Sequence, residues 1–236
     1  MSNHPATRAS ALIVHAHPEP ASFSTAQASA ARVSLEAHGY SVEYIDLFAK
    51  QWAPVLDRGE FPPFHGPFKP QREQWNAIKN SSLAADVQGD LDAVLRADLL
   101  VLSFPLWWFS LPAILKGWID RVFVMGAVSG GDIGLFDRAA LAGRRAVVLA
   151  TTGGAADSFT HSGAFGDIND FLFHIHRGML EFVGYDALEP IITYGPAHLD
   201  DIGRAEALHD VRHAFTNLDD RAVAATSRCR TSAATG

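Results

Sequence analysis

Strand-sized segments alternate along this chain with longer stretches of helical periodicity. The strand-sized segments lie at 11–14, 41–47, 99–104, 146–150 and 188–194. Between them, apolar residues recur at the spacing of one helix face, along 24–38, 87–95, 112–123 and 168–179, and again from 201 onward. This regular alternation predicts a parallel sheet that is covered by helices on both faces.

Five such strands suit the doubly wound strand order 2-1-3-4-5, which is the flavodoxin-like arrangement in the α/β class. We expect one domain over residues 1–236, with an ordered core at about 10–220 and a mobile tail at about 222–236. Pro190 in the last segment indicates an edge strand or a bulge. In a sheet of this kind a ligand binds beyond the carboxyl ends of the strands, where the first and third strands are neighbours.

The composition narrows the class of protein. A net charge of -7 argues against a general nucleic-acid binder, because that function needs a basic face. The only cysteine, Cys229, cannot form an internal disulfide, so a reducing compartment is expected. No secretory signal is apparent, and no apolar run has the length of a membrane-spanning helix. We therefore expect a cytoplasmic protein without membrane insertion.

Three loops follow the first, third and fourth strands and should meet at one edge of the sheet. The first, residues 17–24, leads to a helix start that offers the hydroxyls of Ser22, Ser24 and Thr25 and free backbone N–H groups, which favours an anion such as phosphate. Ordinary capping of the helix would use the same residues. The chain lacks the glycine motifs of nucleoside triphosphate and Rossmann dinucleotide sites in this turn.

The other two loops differ from the first in their chemistry. Three adjacent aromatics, Trp107, Trp108 and Phe109, cannot all face one core, because neighbouring side chains point in different directions. They suit a wall against a flat ring, although an exposed plug or a dimer contact would also explain them. Gly153 and Gly154 allow a ligand to approach the backbone closely. Phosphate donors, a flat apolar wall and a glycine backbone together indicate a flavin site.

Several segments resemble one enzyme family. PLWWF, SLPAILKGWIDRVF and TTGG, together with IVHAHPEPASFS, GDIND and GYDALEPIITYG, resemble the FAD-containing NAD(P)H:quinone oxidoreductases of the DT-diaphorase type. The similarity covers roughly residues 10–215. It implies a flavodoxin-like fold, a homodimer with both sites at the interface, and ping-pong hydride transfer from NAD(P)H through the flavin to a quinone-like acceptor.

The resemblance also implies a set of cofactor-binding residues. The pyrophosphate would be held by His17, Phe23 and Ser24, and the isoalloxazine ring would be bordered by Leu106, Trp107, Trp108 and Phe109. The polar edge of the ring would face Thr151, Thr152, Gly153 and Gly154, and the adenine side would face Arg204. FAD is the expected cofactor and FMN the alternative.

The chain departs from the family at positions that matter for catalysis. A tyrosine and a histidine follow TTGG in the family, whereas Phe159 and Phe165 stand here and cannot donate a hydrogen bond. His161 is a possible substitute, so the catalytic candidates are Gly153, Gly154, Phe159, His161 and Phe165. Two interface tyrosines are replaced by Ser129 and Gly131. We expect slower flavin reduction and a wider, more apolar acceptor pocket.

Three other functions are weighed against this one. A hydrolase is disfavoured because the chain lacks G-x-S-x-G. His209 and His213 lie four residues apart but suit a solvated helix face better than a metal site, so no metal is expected. The remaining alternative is a flavin-binding regulatory subunit of a membrane transport system. The choice between NADH and NADPH stays open.

Overall fold

A parallel sheet runs through residues 8–224, the part of the chain that the computed structural model describes. Its strands are β1 (Ser10–His15), β2 (Ser41–Asp46), β3 (Leu99–Pro105), β4 (Arg145–Thr152), β5 (Asp186–Ala187) and β6 (Ile191–Tyr194). The order is β2-β1-β3-β4-β5, and β6 also pairs with β4. This confirms the predicted flavodoxin-like order.

Six α-helices accompany the sheet among the described residues. They are α1 (Phe23–Ala37), α2 (Pro70–Lys79), α3 (Ala85–Arg96), α4 (Ala113–Val122), α5 (Ile168–Ile175) and α6 (Asp201–Thr216). One apolar core joins α1 and α6 to one face of the sheet, and a second core joins α3, α4 and α5 to the other. Between residues 8 and 224, none of these helices combines the length and the apolar character needed to cross a membrane.

Local signals explain where the elements begin and end. Every residue of β3 is buried, as expected for the central strand of a sheet covered on both faces. Helix α1 starts after Ser22, whose hydroxyl accepts a hydrogen bond from the Thr25 N–H, and it ends before Gly39, whose φ is +89°. The start of α1 therefore lies directly beyond the carboxyl end of β1.

The predicted fifth strand at 188–194 is wrong in its bounds, because the chain forms two short pieces, β5 and β6. Both pieces pair in parallel with β4, and Pro190 lies between them. Proline has no N–H to donate to a sheet, so pairing is interrupted there. The prediction that Pro190 marks an edge or a bulge is confirmed in this form.

A buried arginine anchors the proline-rich segment at 49–70. The Arg121 Nε atom on α4 donates to Glu60 at 2.8 Å, and its Nη1 atom donates to the Ala53 carbonyl at 2.7 Å. Its guanidinium carbon also lies 4.7 Å from the centre of the Trp52 ring. This segment lacks long regular structure, but Arg121 ties it to α4, the helix that follows the three adjacent aromatics.

The last described residues lie along the outer edge of the sheet. Val223 pairs antiparallel with Leu188, and the Ala224 N–H donates to the Ala187 carbonyl at 2.8 Å. Arg221 donates to the carbonyl of Pro190 at 2.6 Å. Residues 225–236, which make up most of the predicted mobile tail and include Cys229, lie outside the described part of the chain.

Candidate functional site

The predicted aromatic and glycine loops meet at one cavity. A cavity of about 560 Å³ lies at the carboxyl edge of the sheet and is lined by Pro105, Leu106, Trp107, Trp108, Thr151, Thr152 and Gly153. The two loops are joined directly, because the Leu106 N–H donates to the Thr151 carbonyl at 2.8 Å. Six of the predicted cofactor-binding residues thus share one concave surface.

A tight turn presents the aromatic wall. Trp107 and Ser110 exchange two backbone hydrogen bonds of 3.1 and 3.0 Å, and the two residues between them have positive φ angles of 52° and 58°. Such a turn favours glycine or asparagine, so Trp108 and Phe109 occupy it under strain. Trp108 is 96% exposed, which excludes a role in the core. The strained turn holds a large flat side chain out in solvent beside the cavity.

Gly153 leaves open space at the cavity, whereas Gly154 does not. A Cβ atom built on Gly153 would meet nothing within 4 Å, so the protein itself does not require glycine at this position. A Cβ atom on Gly154 would approach the Phe165 ring at 2.9 Å and the Phe159 ring at 3.2 Å. The first glycine therefore suits the close approach of a ligand, and the second suits the packing of the loop.

Phe159 and Phe165 belong to an aromatic cluster beside the glycine loop. The two rings are 5.2 Å apart, and Phe109 contacts both of them. Phe109 also stacks on Phe171 of α5 at 4.5 Å, and Tyr194 of β6 completes the cluster, 5.7 Å from Phe159. Phe159 is only 6% exposed. The rings of Phe159 and Phe165 place an apolar wall directly behind Gly154.

The first loop offers donors at the start of α1. Ser24 is buried, and its hydroxyl has no hydrogen-bond partner within residues 8–224. The N–H groups of Phe23 and Ser24 occupy the first two helical positions, which lack acceptors inside a helix. The His17 ring lies 6.1 Å from the Trp107 ring, which places this loop beside the cavity. An unpartnered buried donor at a helix start fits a phosphate group.

Two further predicted residues, His161 and Arg204, do not line the cavity. His161 is exposed and is not among the residues that line it. Arg204 lies in the first turn of α6, which packs against α1, and its Nε atom donates to the Leu199 carbonyl at 3.1 Å. Within residues 8–224, no three His, Cys, Asp or Glu side chains come together to form a possible metal site.

A buried histidine beneath the first loop was missed from the sequence. His15 lies 3.1 Å from Ser103 through Nδ1 and 3.1 Å from Thr25 through Nε2. Burial lowers the pKa of His15 to about 4, Asp46 opposes this shift, and His17 adds to it. A polar residue that ends the apolar run ALIV was the available signal, but its partner Ser103 is 88 residues away.

Trp75 was also missed from the sequence, and its ring lies against Gly131 in the region of the predicted acceptor pocket. Gly126 and Gly131 have positive φ angles of 89° and 64°, and a Cβ atom on Gly131 would overlap the Trp75 ring from α2. The Nζ atom of Lys79 lies 4.6 Å from the centre of that ring. The space beside Gly131 is therefore already filled by an indole ring.

The comparisons with known proteins agree with this geometry. Residues 9–215 match a family model described as a flavodoxin-like fold. The chain is 36% identical to NAD(P)H dehydrogenase (quinone) 1 of Cavia porcellus, over 89% of this chain and 77% of that protein. It is 39% identical to ribosyldihydronicotinamide dehydrogenase (quinone) of Homo sapiens, over 78% of this chain and 81% of that protein.

A solved structure gives the same result. The crystal structure described as a putative quinone reductase from Klebsiella pneumoniae superposes with a TM-score of 0.85 at 31% identity, covering 91% of this chain and 86% of that one. The similarity thus extends over nearly the whole sheet and all three loops of the site. The chain belongs to the NAD(P)H:quinone oxidoreductase family of flavodoxin-like proteins.

Proposed function

We propose that this protein is a flavin-dependent NAD(P)H:quinone oxidoreductase. The observation that carries the proposal is the cavity at the carboxyl edge of the sheet, where an exposed tryptophan wall faces open space above Gly153. A bound flavin would take a hydride from NAD(P)H and give it to a quinone-like acceptor in a separate step. The names of the relatives, which are dehydrogenases and reductases that act on quinones, support this activity.

The residues of the chain would bind and orient the cofactor. Leu106, Trp107 and Trp108 would cover the apolar ring, and the backbone at Gly153 would contact its polar edge. The N–H groups of Phe23 and Ser24 and the free Ser24 hydroxyl would donate to phosphate. Because Phe159 and Phe165 lack donors, charge that develops on the flavin would be stabilised by backbone N–H groups of the glycine loop and not by these two side chains.

FAD is the proposed cofactor, with FMN as the alternative. An adenosine group would extend from the phosphate loop along the start of α6, where Arg204 offers a guanidinium group on the helix that packs against α1. Denaturing the purified protein and identifying the released flavin by chromatography distinguishes the two. Release of FMN alone would contradict the role of Arg204.

Absorbance of the flavin tests the activity itself. Under anaerobic conditions NADH or NADPH should bleach the yellow protein, and a quinone should restore its colour. A yellow protein that neither nicotinamide bleaches would contradict the proposal and favour the regulatory subunit. The relatives give no support to that alternative, since their names are those of dehydrogenases.

We further propose a cytoplasmic homodimer built from a single domain. A second cavity, of about 1140 Å³, is lined by Met125, Ser129, Gly131 and His174, among others, and His174 lies 3.0 Å from Ser110 of the aromatic turn. This surface therefore adjoins the site, and a second copy that covered it would also shield the flavin from solvent. Light scattering gives the mass in solution, and a fully active monomer at nanomolar concentration would contradict the dimer.

The filled space beside Gly131 refines the expected acceptor pocket. The ring of Trp75 supplies an aromatic surface where the resemblance leads one to expect a tyrosine. We therefore propose that the acceptor pocket is apolar, as expected from the sequence, and that the Trp75 ring limits its width. Comparing turnover with benzoquinones that carry progressively larger alkyl groups measures this width.

A further inference from the structure

One buried side chain connects two of the loops that form the site. His15 is the last residue of β1 and is fully buried. Its Nδ1 atom lies 3.1 Å from the hydroxyl of Ser103 on β3, and its Nε2 atom lies 3.1 Å from the hydroxyl of Thr25 in the first turn of α1. Ser103 is two residues before Pro105, which lines the cavity. The imidazole thus bridges the strand of the aromatic turn and the helix of the phosphate loop.

The direction of these hydrogen bonds follows from their geometry. The Thr25 hydroxyl lies 3.1 Å from the Glu19 carbonyl, so when the ring carries its N–H on Nε2 this hydroxyl accepts from the ring and donates to that carbonyl. In that tautomer Nδ1 accepts from the Ser103 hydroxyl. Every group in this series has a partner.

The same series reaches the cap of helix α1. The Ser22 hydroxyl lies 2.9 Å from the Thr25 hydroxyl, and it accepts from the Thr25 N–H at 3.1 Å. The donors that remain free in this turn, the Ser24 hydroxyl and the first backbone N–H groups, are the ones proposed to bind phosphate. The contacts of His15 thus fix the hydroxyls that cap the helix, while the buried Ser24 hydroxyl stays unpaired among the described residues.

We propose that His15 is a positioning residue for the flavin phosphate. With Ser103 and Thr25 it holds the loop at 17–24 in the conformation that directs the free donors of Ser24 toward the anion. The inference rests on the proposed flavin site and deepens it. A purely structural histidine would stabilise the whole site instead, so its loss would weaken every flavin equally.

Three flavins separate these roles, because riboflavin lacks the phosphate that FMN and FAD carry. Titration of the apoprotein by flavin fluorescence gives Kd for each of them. His15→Leu should raise Kd for FMN and FAD by about tenfold, as for the loss of one hydrogen bond, and Kd for riboflavin by less than about threefold. His15→Gln, which keeps a donor for Thr25, should recover most of the loss.

Ser34→Ala is the matched control. Ser34 is a buried residue on the same helix, and its hydroxyl donates to the Arg212 carbonyl at 3.0 Å, far along the helix from the phosphate loop. Its removal should leave all three dissociation constants unchanged. Ser103→Ala removes only the hydroxyl on the other side of the ring and should reproduce the selective loss of FMN and FAD if His15→Leu fails to fold.

The outcomes distinguish the two proposals. Equal weakening of riboflavin, FMN and FAD, or unchanged FMN affinity in folded His15→Leu or Ser103→Ala, overturns the positioning role while the flavin site stands. Wild-type protein that binds none of the three flavins overturns the proposed function and the inference together.

Discussion

Replacing Trp108 by glycine should separate the stability of the fold from the binding of flavin. Trp108 is 96% exposed, so removing its side chain sacrifices almost no burial in the apoprotein. Its φ of 52° lies in the left-handed region, which costs a non-glycine residue about 1 kcal/mol or more. Trp108→Gly should therefore leave the free energy of unfolding unchanged or raise it by up to about 1 kcal/mol, a Tm increase of at most about 2–4 °C.

The same substitution should weaken the binding of flavin. An indole ring that covers a bound flavin contributes about 1.5–3 kcal/mol, which corresponds to a Kd about 10- to 100-fold higher without it. Trp108→Ala should lose the same affinity but keep the strained turn, so its Tm should match that of the wild type. Differential scanning fluorimetry of the apoproteins and fluorescence titration with FAD measure the two quantities separately.

Phe109→Gly is the control within the same turn. Phe109 has nearly the same φ, 58°, but it is only 38% exposed and its ring stacks on Phe171 at 4.5 Å. Loss of the stacked ring should outweigh the relief of strain and lower the free energy of unfolding by about 1–3 kcal/mol. If Trp108→Gly unfolds as easily as Phe109→Gly, or binds FAD like the wild type, the assignment of Trp108 to the flavin wall is refuted.

Three further predictions address the catalytic loop, the buried histidine and the acceptor pocket. The double variant Phe159→Tyr/Phe165→His should increase the rate of flavin reduction by NAD(P)H by up to about 10²–10³-fold, as measured by stopped-flow absorbance. An unchanged rate would mean that the missing hydrogen-bond donors do not limit this step. The pKa of His15 is lowered from 6.5 in the unfolded chain to about 4 in the folded protein, so between these pH values the unfolded chain binds more protons. The free energy of unfolding should therefore be highest above pH 6.5 and should fall by about 3 kcal/mol as the pH is lowered to 4. Denaturant titrations of His15→Gln should lack this component, and an unchanged pH slope would contradict it. Gly131→Tyr should lower Tm, because the new side chain would displace the Trp75 ring. The double variant Gly131→Tyr/Trp75→Ala should regain part of that Tm. Equal Tm values for the single and the double variant would contradict a clash between residue 131 and Trp75.

Much of the fold and of the main cavity could be predicted from local patterns. The strand order follows from the alternation of elements, and the cavity follows from the rule that ligands bind beyond the carboxyl ends of parallel strands. The interruption at Pro190 was only partly predictable, because a missing N–H does not reveal how much pairing is lost on each side.

The unpredicted parts of the site depend on contacts between distant residues. His15 meets Ser103 across 88 positions, and the overlap of Trp75 with Gly131 arises only when α2 packs over a later loop. The sequence drew attention to Phe159 and Phe165 because they lack a hydrogen-bond donor. Their packing against Phe109 is seen only in the structure. Sequence periodicity identifies elements and loops, but it carries no information on which side chains meet across them.

The antiparallel pairing of Val223 with Leu188 has a consequence for how copies of this protein can associate. An uncovered edge strand offers its backbone groups to any other strand and so invites open-ended aggregation. Here the chain covers the part of that edge around Glu189, whose N–H donates to Ala222 at 2.8 Å, while Arg221 binds the carbonyls of Glu189 and Pro190. Along this stretch these backbone groups are bound to residues 221–224 and are not available to a neighbouring sheet. At this part of the edge, a second copy would therefore meet side chains and not open backbone groups.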